Sequence, residues 1–408
     1  MRPLASVFTP THSPTFLREA FDSLQRQSYQ EWEWVLGPNG PEGKIPHDLL
    51  RDRRVRIVEM PAGLDNIGAI KRHVCEQCRG DALVELDHDD LLVPGETLAR
   101  IMAAVEDGAG FVYTDTAVFQ QKGLKPYVWN RATGWESYPV DVYGRELRAS
   151  RSFPLTPRSL FEIYYCPDHV RVWSRDAYRR VGGHNPALAV CDDQDLMCRT
   201  YLAGEDMRHL SMCGYLYRLQ NHTKENTVYK RNKQIQTLTK EIGNRYLQPM
   251  ISQWLNRTQA LELKIHELFN QGWTFERSLL QGVGAGNVGS IVADNILQYC
   301  PPYLVSVFMQ ACYEALVPGG YLEIQVPDGS TASAYLYPGT QSVFNRSSLS
   351  AYTNHEMAKE VGQTGSRFQL INVGQQYRTA WHHREKLPQL TFHLSALKGQ
   401  RQPGHKKI

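Results

Sequence analysis

The chain has 408 residues, more than a single domain usually contains, so its length predicts two or three domains with full cores. Hydrophobic residues make up 42% of the chain and charged residues 21%, which is the composition of a globular protein and excludes a low-complexity chain. The formal net charge of +3 argues against strong, sequence-independent phosphate binding as the main activity.

The sequence also bears on the cellular compartment. No run of about 18 apolar residues occurs, so we expect no transmembrane segment. We expect no signal peptide either, because Met1-Arg2-Pro3 leads directly into a strand-like segment. Eight scattered cysteines predict reduced thiols and a cytoplasmic protein. Cys75 and Cys78 form a CxxC pair without a second ligand pair at zinc-like spacing, so we interpret both as helix residues.

Strand and helix patterns alternate through the first part of the chain. Short apolar runs predict the strands, and amphipathic spacing predicts the helices between them. The predicted elements, in chain order, are a strand at residues 4–8, a helix at 14–27, strands at 33–36 and 55–59, a helix at 66–77 and a strand at 83–86. This β-α-β-β-α-β order predicts an α/β sheet whose polar loops lie at the carboxyl ends of the strands, where open sheets bind ligands.

An acidic turn, Asp87-His88-Asp89-Asp90, follows the last of these strands. Its three carboxylates repel one another, so the arrangement requires a cation or solvent to offset the charge. A hard divalent ion that holds a diphosphate would do so. For the turn taken alone, a solvated loop with an incidental helix cap is the competing interpretation.

Aromatic side chains are dense between residues 111 and 180. Such rings stack on the apolar faces of sugars and would shape a binding site for a sugar, whereas ordinary core packing and loop anchoring is the competing explanation. Residues 123–157 show few periodic signals, which predicts a long loop or lid.

Asp192, Asp193 and Asp195 lie at the start of a predicted helix, shortly after a Gly182-Gly183 turn. Carboxylates at a helix start are stabilised by the helix dipole, which is the structural explanation for such a cluster. The chemical explanation is that one of the three acts as a general base toward a hydroxyl group.

Five segments resemble family 2 glycosyltransferases of the GT-A fold, and they occur in that family's order across residues 3–227. The segments are Thr9-Pro10-Thr11, Asn66-Ile67-Gly68 with Lys71-Arg72, GDALVELDHDD, Val181-Gly182-Gly183-His184 with Cys191-Asp192-Asp193-Gln194-Asp195-Leu196, and Tyr217-Arg218 with Asn221-His222. The resemblance implies a GT-A domain, a Rossmann-like nucleotide-diphospho-sugar transferase fold, over residues 1–227.

The resemblance also implies a role for each matching residue. Asp89 would be the bridging metal ligand, with Asp90 in support and Mn²⁺ or Mg²⁺ as the ion. His222 is a further candidate ligand, and a surface histidine near the end of the domain is the alternative. The residues expected to bind the donor are Thr9, Pro10, Thr11, Asn39, Asn66, Lys71 and Asp87.

Asp193 aligns with the aspartate that acts as catalytic base in the family, and Asp192 and Asp195 are its rivals. A single displacement with such a base implies inversion at the anomeric carbon. One segment, residues 37–40, departs from the family pattern because it lacks the aspartate that reads the nucleobase. The Asn39 amide can hydrogen-bond a base edge instead, so the nucleotide stays open.

The sequence of the second half of the chain predicts a different kind of domain. Amphipathic spacing predicts a helical connector over residues 228–257, and a flexible basic tail is expected at 398–408. Between them, ACYEALVPGGYLEIQVPD at 311–328 resembles the late part of a class I S-adenosylmethionine-dependent methyltransferase, which implies a smaller α/β methyltransferase-like domain over 258–397. Residues 264–266 stand where that family places glycines, so side chains would fill the cofactor's space and we expect an inactive domain.

We therefore predict a metal-dependent inverting glycosyltransferase that moves a sugar from a nucleotide-diphosphate sugar to an acceptor hydroxyl. The acceptor is expected to be a glycan, a glycoconjugate or a modified nucleic acid. Three alternatives stay open: a bifunctional glycosyltransferase and methyltransferase, a non-catalytic module that binds glycan or nucleic acid, and nicotinamide binding at the GxGxxG segment 284–289. Homo-oligomerisation through the second domain stays open as well.

Overall fold

The computed structural model describes residues 3–40, 45–120, 125–127, 137–162, 166–219, 231–264, 285–362 and 365–398. The chain divides into two compact units. The first unit comprises Met1–Trp129, Ser137–Leu155 and Tyr165–Met250, and the second comprises Asn130–Glu136, Thr156–Tyr164 and Ile251–Ile408. Within the described ranges, every helix is too short or too polar to span a membrane.

Strands and helices occur together in both units, which confirms the predicted α/β class. The described strands are β1 Ala5–Thr11, β2 Trp32–Pro38, β3 Val55–Ile57, β4 Ala82–Glu85, β5 Leu91–Leu92, β6 Phe111–Gln120, β7 Lys125–Tyr127, β8 Ser137–Val142, β9 Arg145–Ser150, β10 Arg171–Ser174, β11 Met207–Leu219, β12 Gln259–Lys264, β13 Val288–Asp294, β14 Leu316–Pro327, β15 Phe368–Gln376 and β16 Gln389–Ala396. The described α-helices are α1 Leu17–Gln25, α2 Ile67–Glu76, α3 Thr97–Glu106, α4 Pro157–Glu162, α5 Arg175–Arg180, α6 Asp192–Leu202, α7 Asn232–Arg257, α8 Val305–Ala315, α9 Ser350–Thr353, α10 His355–Glu360 and α11 Ala380–Arg384.

The first unit is built on a mixed sheet with the strand order β3-β2-β1-β4-β10-β6-β11-β5. β1 runs parallel to β2 and to β4, so the carboxyl ends of these three strands share one edge of the sheet. β10 runs antiparallel to β4, with Val172 opposite Val84. The first residues of β10 therefore lie beside the last residues of β4, at that same edge.

Helix α1 packs into the core of the first unit because its apolar residues recur at helical spacing. Leu17, Ala20, Phe21 and Leu24 form its buried face, and the Phe21 ring stacks on the Trp34 ring with 6.0 Å between centroids. Full burial of a large side chain of this kind contributes about 1.5–3 kcal/mol. The polar loop between β1 and α1 thereby starts from a rigid strand and ends at a packed helix.

The prediction of a long loop at residues 123–157 is wrong, because the described part of this segment contains strands. β8 and β9 form an antiparallel hairpin, in which Tyr143 and Gly144 take φ angles of 56° and 70° at the turn. Leu147 of β9 is buried in a small core together with Phe119 of β6. Packing against β6 stabilises this hairpin, and such packing leaves only a weak periodic pattern in the sequence.

The second unit has a five-stranded sheet with the order β12-β13-β14-β16-β15. β12, β13 and β14 are parallel, whereas β16 is antiparallel to both β14 and β15. The helix and strand expected within residues 311–328 occur as α8 and β14. The Pro-Gly-Gly segment lies inside β14, where Gly319 has a φ angle of 75° and the pairing with β13 shifts register.

The domain boundaries proposed from the sequence stay predictions. The expected connector at 228–257 contains α7, and the first unit ends at Met250, within that helix. Ile265 and His266 of the expected cofactor loop lie outside the described residues, as does the tail beyond Lys398.

Candidate active site

The acidic turn lies just beyond the carboxyl end of β4, and hydrogen bonds from its own backbone N–H groups hold it. The Asp87 N–H donates a hydrogen bond to the Tyr215 hydroxyl oxygen of β11 at 3.1 Å. The Asp90 N–H donates to the Asp87 carbonyl oxygen at 3.2 Å, which closes the turn. The Asp87 side chain is 38% exposed, whereas Asp90 is buried. The turn therefore presents Asp87 to solvent and Asp90 to the interior.

Buried Arg218 of β11 donates hydrogen bonds that hold the acidic turn. Its backbone N–H donates to Asp90 Oδ1 at 2.6 Å, and its Nε–H donates to the Asp89 carbonyl oxygen at 2.5 Å. The guanidinium also pairs with Glu19 at 2.8 Å and lies over the Phe16 ring, 4.1 Å from the centroid. A planar guanidinium with several fixed partners holds one geometry well, so Arg218 keeps the turn in a single conformation.

Asp90 differs chemically from a surface carboxyl group. Burial raises the pKa of Asp90 well above its usual range, and the nearby Asp89 and Asp87 raise it further. The hydrogen bond from the Arg218 N–H offsets only part of this rise. Asp90 is therefore a buried hydrogen-bonding group of the turn, while Asp87 stays accessible to a ligand. Support of a metal site by Asp90 stays a prediction.

His169, which the sequence motifs did not identify, joins the acidic turn to another buried carboxylate. Its Nε2 lies 3.7 Å from Asp87 Oδ2, and its Nδ1 lies 3.0 Å from Asp168 Oδ1. The imidazole also stacks on the Tyr215 ring with 4.9 Å between centroids. His169 is thus fixed between two acids, just before Arg171, the first residue of β10.

Five charged side chains form a closed ring of contacts beside the acidic turn. Asp193 Oδ2 lies 2.6 Å from Arg171 Nη1, and the same Nη1 lies 3.8 Å from Glu85 Oε2. Glu85 Oε1 lies 2.6 Å from Lys71 Nζ, which in turn lies 3.4 Å from Asp192 Oδ2. Asp192 and Asp193 are adjacent in the chain, so the contacts close on themselves. We call Lys71, Glu85, Arg171, Asp192 and Asp193 the charge ring.

The charge ring follows from the packing of four elements. Glu85 is the last residue of β4 and Arg171 is the first of β10, and the antiparallel register places them side by side. Lys71 lies on the buried face of α2, while Asp192 and Asp193 are in the first turn of α6. Every ion pair in the ring joins opposite charges, which is the arrangement that a set of buried charges requires.

The charge ring shifts the pKa values of its acids in different directions. Burial alone would raise the pKa of Glu85, but Lys71 and Arg171 outweigh burial and lower this pKa to about 2. Burial would likewise raise the pKa of Asp193, yet Arg171 and Lys71 hold it well below its usual range. For Asp192, burial prevails over Lys71 and raises the pKa to about 6. Glu85 and Asp193 are therefore anionic at neutral pH.

Asp193 is the accessible one of the three candidate bases. Its side chain is 27% exposed, whereas the side chains of Asp192 and Asp195 are 5% and 1% exposed. Asp195 is also engaged by Arg199 at 2.7 Å and by the Tyr246 hydroxyl at 2.9 Å. A general base must come within hydrogen-bond reach of its substrate, and Asp193 meets that requirement best.

The expected donor-binding residues of β1 use their hydroxyl groups within the protein. The Thr9 hydroxyl donates to the Leu86 carbonyl oxygen at 2.7 Å, which ties β1 to the segment that enters the acidic turn. The Thr11 hydroxyl donates to the Ser13 carbonyl oxygen at 2.8 Å. Contact of Thr9, Pro10 and Thr11 with a donor stays a prediction.

The remaining donor-binding candidates lie in different settings. The Asn39 N–H donates to the Thr11 carbonyl oxygen at 2.7 Å, and its buried Oδ1 has no hydrogen-bond partner among the described residues. The Asn66 amide donates to the Pro186 carbonyl oxygen at 3.3 Å. The Lys71 side chain is 10% exposed, and its ammonium binds two carboxylates of the charge ring. Donor contacts of Asn39, Asn66 and Lys71 stay predictions.

The expected metal ligands are described only in part, since His222 lies outside the described residues. Among the side chains that the structure describes, no three His, Cys, Asp or Glu residues are grouped to hold a metal ion by themselves. Mg²⁺ is usually bound by one or two carboxylates together with substrate phosphates, so a partly exposed acidic turn fits such a shared site. Asp89 as bridging ligand stays a prediction.

Glu85, Arg171 and His169 were missed by sequence reasoning, although one signal was available. Glu85 interrupts an apolar strand, and glutamate is almost never fully buried unless it is paired. The strand therefore implied a buried cation nearby, which is Lys71. Arg171 and His169 carry no such signal, because the pairing of β10 with β4 decides their neighbours.

Residues 6–182 match the family model described as Glycosyl transferase family 2. The match contains the acidic turn, Glu85 and Arg171, and it ends before α6. This part of the chain is therefore similar to family 2 glycosyltransferases, which supports the resemblance inferred from the sequence motifs.

Two curated proteins are similar to about half of this chain. "O-antigen biosynthesis protein RfbC" of Myxococcus xanthus is 26% identical over 219 residues, which are 52% of this chain and 15% of that protein. "Uncharacterized protein y4gI" of Sinorhizobium fredii (strain NBRC 101917 / NGR234) is 26% identical over 227 residues, 53% of this chain and 22% of that protein. The matched region is therefore only a small part of either relative.

Two solved structures resemble the chain at a lower level. The structure of S. aureus TarS 1-349 in complex with UDP-GlcNAc is 13% identical with a TM-score of 0.41, and the alignment covers 77% of this chain and 84% of that chain. Mannosyltransferase PcManGT from Pyrobaculum calidifontis, in complex with GDP-Man and Mn²⁺, is 16% identical with a TM-score of 0.37, covering 58% and 62%.

We expect Glu85→Gln to lower the free energy of unfolding by about 3–5 kcal/mol, because it leaves buried Lys71 and Arg171 without their shared counterion. Urea denaturation followed by tryptophan fluorescence measures the change. The matched control is Glu76→Gln, which removes a surface pair with Arg72 at 3.0 Å, where the Glu76 side chain is 54% exposed. That control should cost less than about 1 kcal/mol. Equal costs for both variants would contradict the role given to Glu85.

We expect the free energy of unfolding to fall as the pH is lowered from about 4.5 to about 2. The folded-state pKa of Glu85 is depressed, so its stabilisation is complete above the ordinary pKa and is lost as the pH falls through the folded value. Asp192, with its pKa raised to about 6, contributes in the opposite sense between 3.8 and about 6. Urea titrations of wild type and Glu85→Gln across this range should converge at low pH, and a constant difference would contradict the assignment.

Proposed function

We propose that the chain is a glycosyltransferase whose family 2 domain moves a sugar from a nucleotide-diphosphate sugar to an acceptor hydroxyl. One observation carries the proposal: the acidic turn and Asp193, far apart in the sequence, contact the same short segment. His169 Nε2 lies 3.7 Å from Asp87, and Arg171 Nη1 lies 2.6 Å from Asp193. A donor bound at the turn would stand beside an ionised, accessible carboxylate.

The donor half of the reaction must compensate negative charge, because a nucleoside diphosphate departs. We propose that Asp89 and His222 hold Mn²⁺ or Mg²⁺ with the donor diphosphate, and that Asp87 contacts the donor's ribose. The ion, when bound, would supply Lewis-acid stabilisation of the leaving diphosphate. Arg218 supports this proposal, since it fixes the backbone that carries Asp89 at 2.5 Å.

The acceptor half requires a group that takes the hydroxyl proton as the oxygen attacks the anomeric carbon. We propose Asp193 for this role, because its carboxylate is anionic at neutral pH and partly exposed. In one displacement the hydroxyl attacks from the face opposite the departing diphosphate, so the product has the inverted configuration. The proton goes to an Asp193 oxygen and leaves with solvent after product release.

We propose a glycan or glycoconjugate as the acceptor, in preference to a modified nucleic acid. The name of the Myxococcus xanthus relative refers to O-antigen biosynthesis, which is glycan assembly. The net charge of +3 also gives little support to binding along a nucleic-acid backbone.

Asp89→Asn is expected to lower turnover by about 100-fold or more, equivalent to at least about 2.7 kcal/mol of transition-state stabilisation. Release of nucleoside diphosphate from a panel of UDP- and GDP-sugars with Mn²⁺ measures this, and EDTA should abolish the wild-type reaction until Mn²⁺ is restored. Asp107→Asn is the control, because Asp107 forms a surface ion pair with Arg208 and the Asp107 side chain is 78% exposed. Full activity of Asp89→Asn, or indifference to EDTA, would contradict the metal assignment.

The second unit is proposed to be a methyltransferase-like domain without methyl transfer. The support is the resemblance of residues 311–328, which contain the end of α8 and all of β14, together with Lys264 at the end of β12 where the family has glycine. Isothermal calorimetry with S-adenosylmethionine is expected to show no binding heat. Saturable binding at micromolar concentration would favour the bifunctional alternative.

A further inference from the structure

The carboxylate of Asp193 is fixed at both of its oxygens. Asp193 Oδ2 lies 2.6 Å from Arg171 Nη1, and Asp193 Oδ1 accepts a hydrogen bond from the Gln194 N–H at 2.8 Å. Neither contact closes the group off, since 27% of the side chain stays exposed. A carboxylate oxygen accepts more than one hydrogen bond, so an acceptor hydroxyl can still bind there.

Arg171 is buried, and the nitrogen that pairs with Asp193 also lies near a second carboxylate. Only 4% of Arg171 is exposed, and its Nη1 lies 3.8 Å from Glu85 Oε2. Glu85 is buried and is held in turn by Lys71 at 2.6 Å. The same guanidinium nitrogen therefore lies between a carboxylate at the end of β4 and one at the start of α6. Its burial leaves little surface for contact with a donor or an acceptor.

We propose that Arg171 is a positioning residue, whose guanidinium aims the Asp193 carboxylate at the acceptor hydroxyl. The inference rests on the proposed role of Asp193 as base, and it adds the residue that directs this base. A carboxylate beside a guanidinium is a weaker base than a free one. Arg171 thus lowers the basicity of Asp193, but it also fixes the orientation of the Asp193 carboxylate and keeps it charged. Proton transfer depends on such a fixed geometry.

The surroundings of Asp193 predict a specific pH dependence. The titratable side chains that act on it are Arg171 of β10, Lys71 of α2, His169 before β10, His184 before α6 and Asp192 within α6. A base accepts a proton only in its ionised form, so activity falls as the pH drops through the pKa of Asp193. Burial raises the pKa of Asp193, and the Arg171 guanidinium counteracts this effect. Removing the guanidinium therefore raises the pKa, and the acid limb of the pH profile moves to higher pH.

Kinetics of the full chain from about pH 4 to about pH 8 test the inference with Arg171→Gln and Arg171→Lys, using the sugar nucleotide that the donor panel identifies. The depressed pKa of Asp193 places the wild-type acid limb below this range. Arg171→Gln should lower kcat about 100-fold, change the donor KM little, and bring the acid limb of kcat/KM up into the measured range. Arg171→Lys keeps the charge but not the planar fork, so it should return the limb toward its wild-type position with only partial recovery of kcat.

Arg180→Gln is the matched control, because Arg180 forms a surface pair with Glu205 and its side chain is 59% exposed. It should reproduce the wild-type profile. A loss of kcat in Arg171→Gln that is equal at every pH would overturn the inference, since it would show a structural role only. Should Arg171→Gln fail to fold by tryptophan fluorescence, Arg171→Lys decides: a wild-type kcat in that variant would overturn the aiming role.

Asp193→Asn separates this inference from the proposed function. Wild-type turnover in Asp193→Asn would show that the proposed base is wrong, and the role of Arg171 would fall with it. An inactive Asp193→Asn combined with an unshifted acid limb in Arg171→Gln would leave the base in place and overturn this inference alone. The expected result is an inactive Asp193→Asn together with a shifted limb in Arg171→Gln.

Discussion

The contact of buried Glu85 with two cations sets the positions of the elements around the site. Lys71 of α2 lies 2.6 Å from its carboxylate, and Arg171 of β10 lies 3.8 Å from it. An unpaired buried charge costs several kcal/mol, so the three side chains stay together or the packing of α2, β4 and β10 is lost. The acidic turn begins two residues after Glu85, and Arg171 pairs with Asp193. The proposed donor site and the proposed base are therefore both positioned by the contacts of Glu85.

Aspartates in the same small region acquire different properties from their surroundings. Asp90 is buried against other carboxylates, which raises its pKa well above the usual range and makes it part of the scaffold. Asp193 is held ionised by Arg171 and Lys71, whereas burial raises the pKa of its neighbour Asp192 to about 6. Such separation of pKa values among chemically identical groups is how enzymes divide roles between carboxylates. It also explains why adjacent residues of one cluster are not interchangeable candidates for a base.

Much of the first sheet was predictable, because its central strands carry local signals. The strands expected at residues 4–8, 33–36, 55–59 and 83–86 occur as β1, β2, β3 and β4. Buried parallel strands are continuous apolar runs bounded by polar turns, and a short window of sequence reveals such runs. The hairpin of β8 and β9 was not predictable in the same way, because Leu147 is stabilised by packing on Phe119 of β6. Contacts of that kind leave no regular pattern within the hairpin itself.

The sequence by itself determined the α/β class, the acidic turn and the cluster that contains Asp193, because residue types and their order along the chain are enough to specify these features. Only the tertiary structure decided that Asp193 is the accessible acid of its cluster, that Arg218 fixes the acidic turn, and that Arg171 pairs with Asp193. The physical reason is that these properties depend on burial and on ion pairs between residues distant in the chain. Strand pairing between β10 and β4 brings Arg171 beside Glu85, while β11 and α6 supply Arg218 and Asp193, and no spacing within a single segment encodes these contacts.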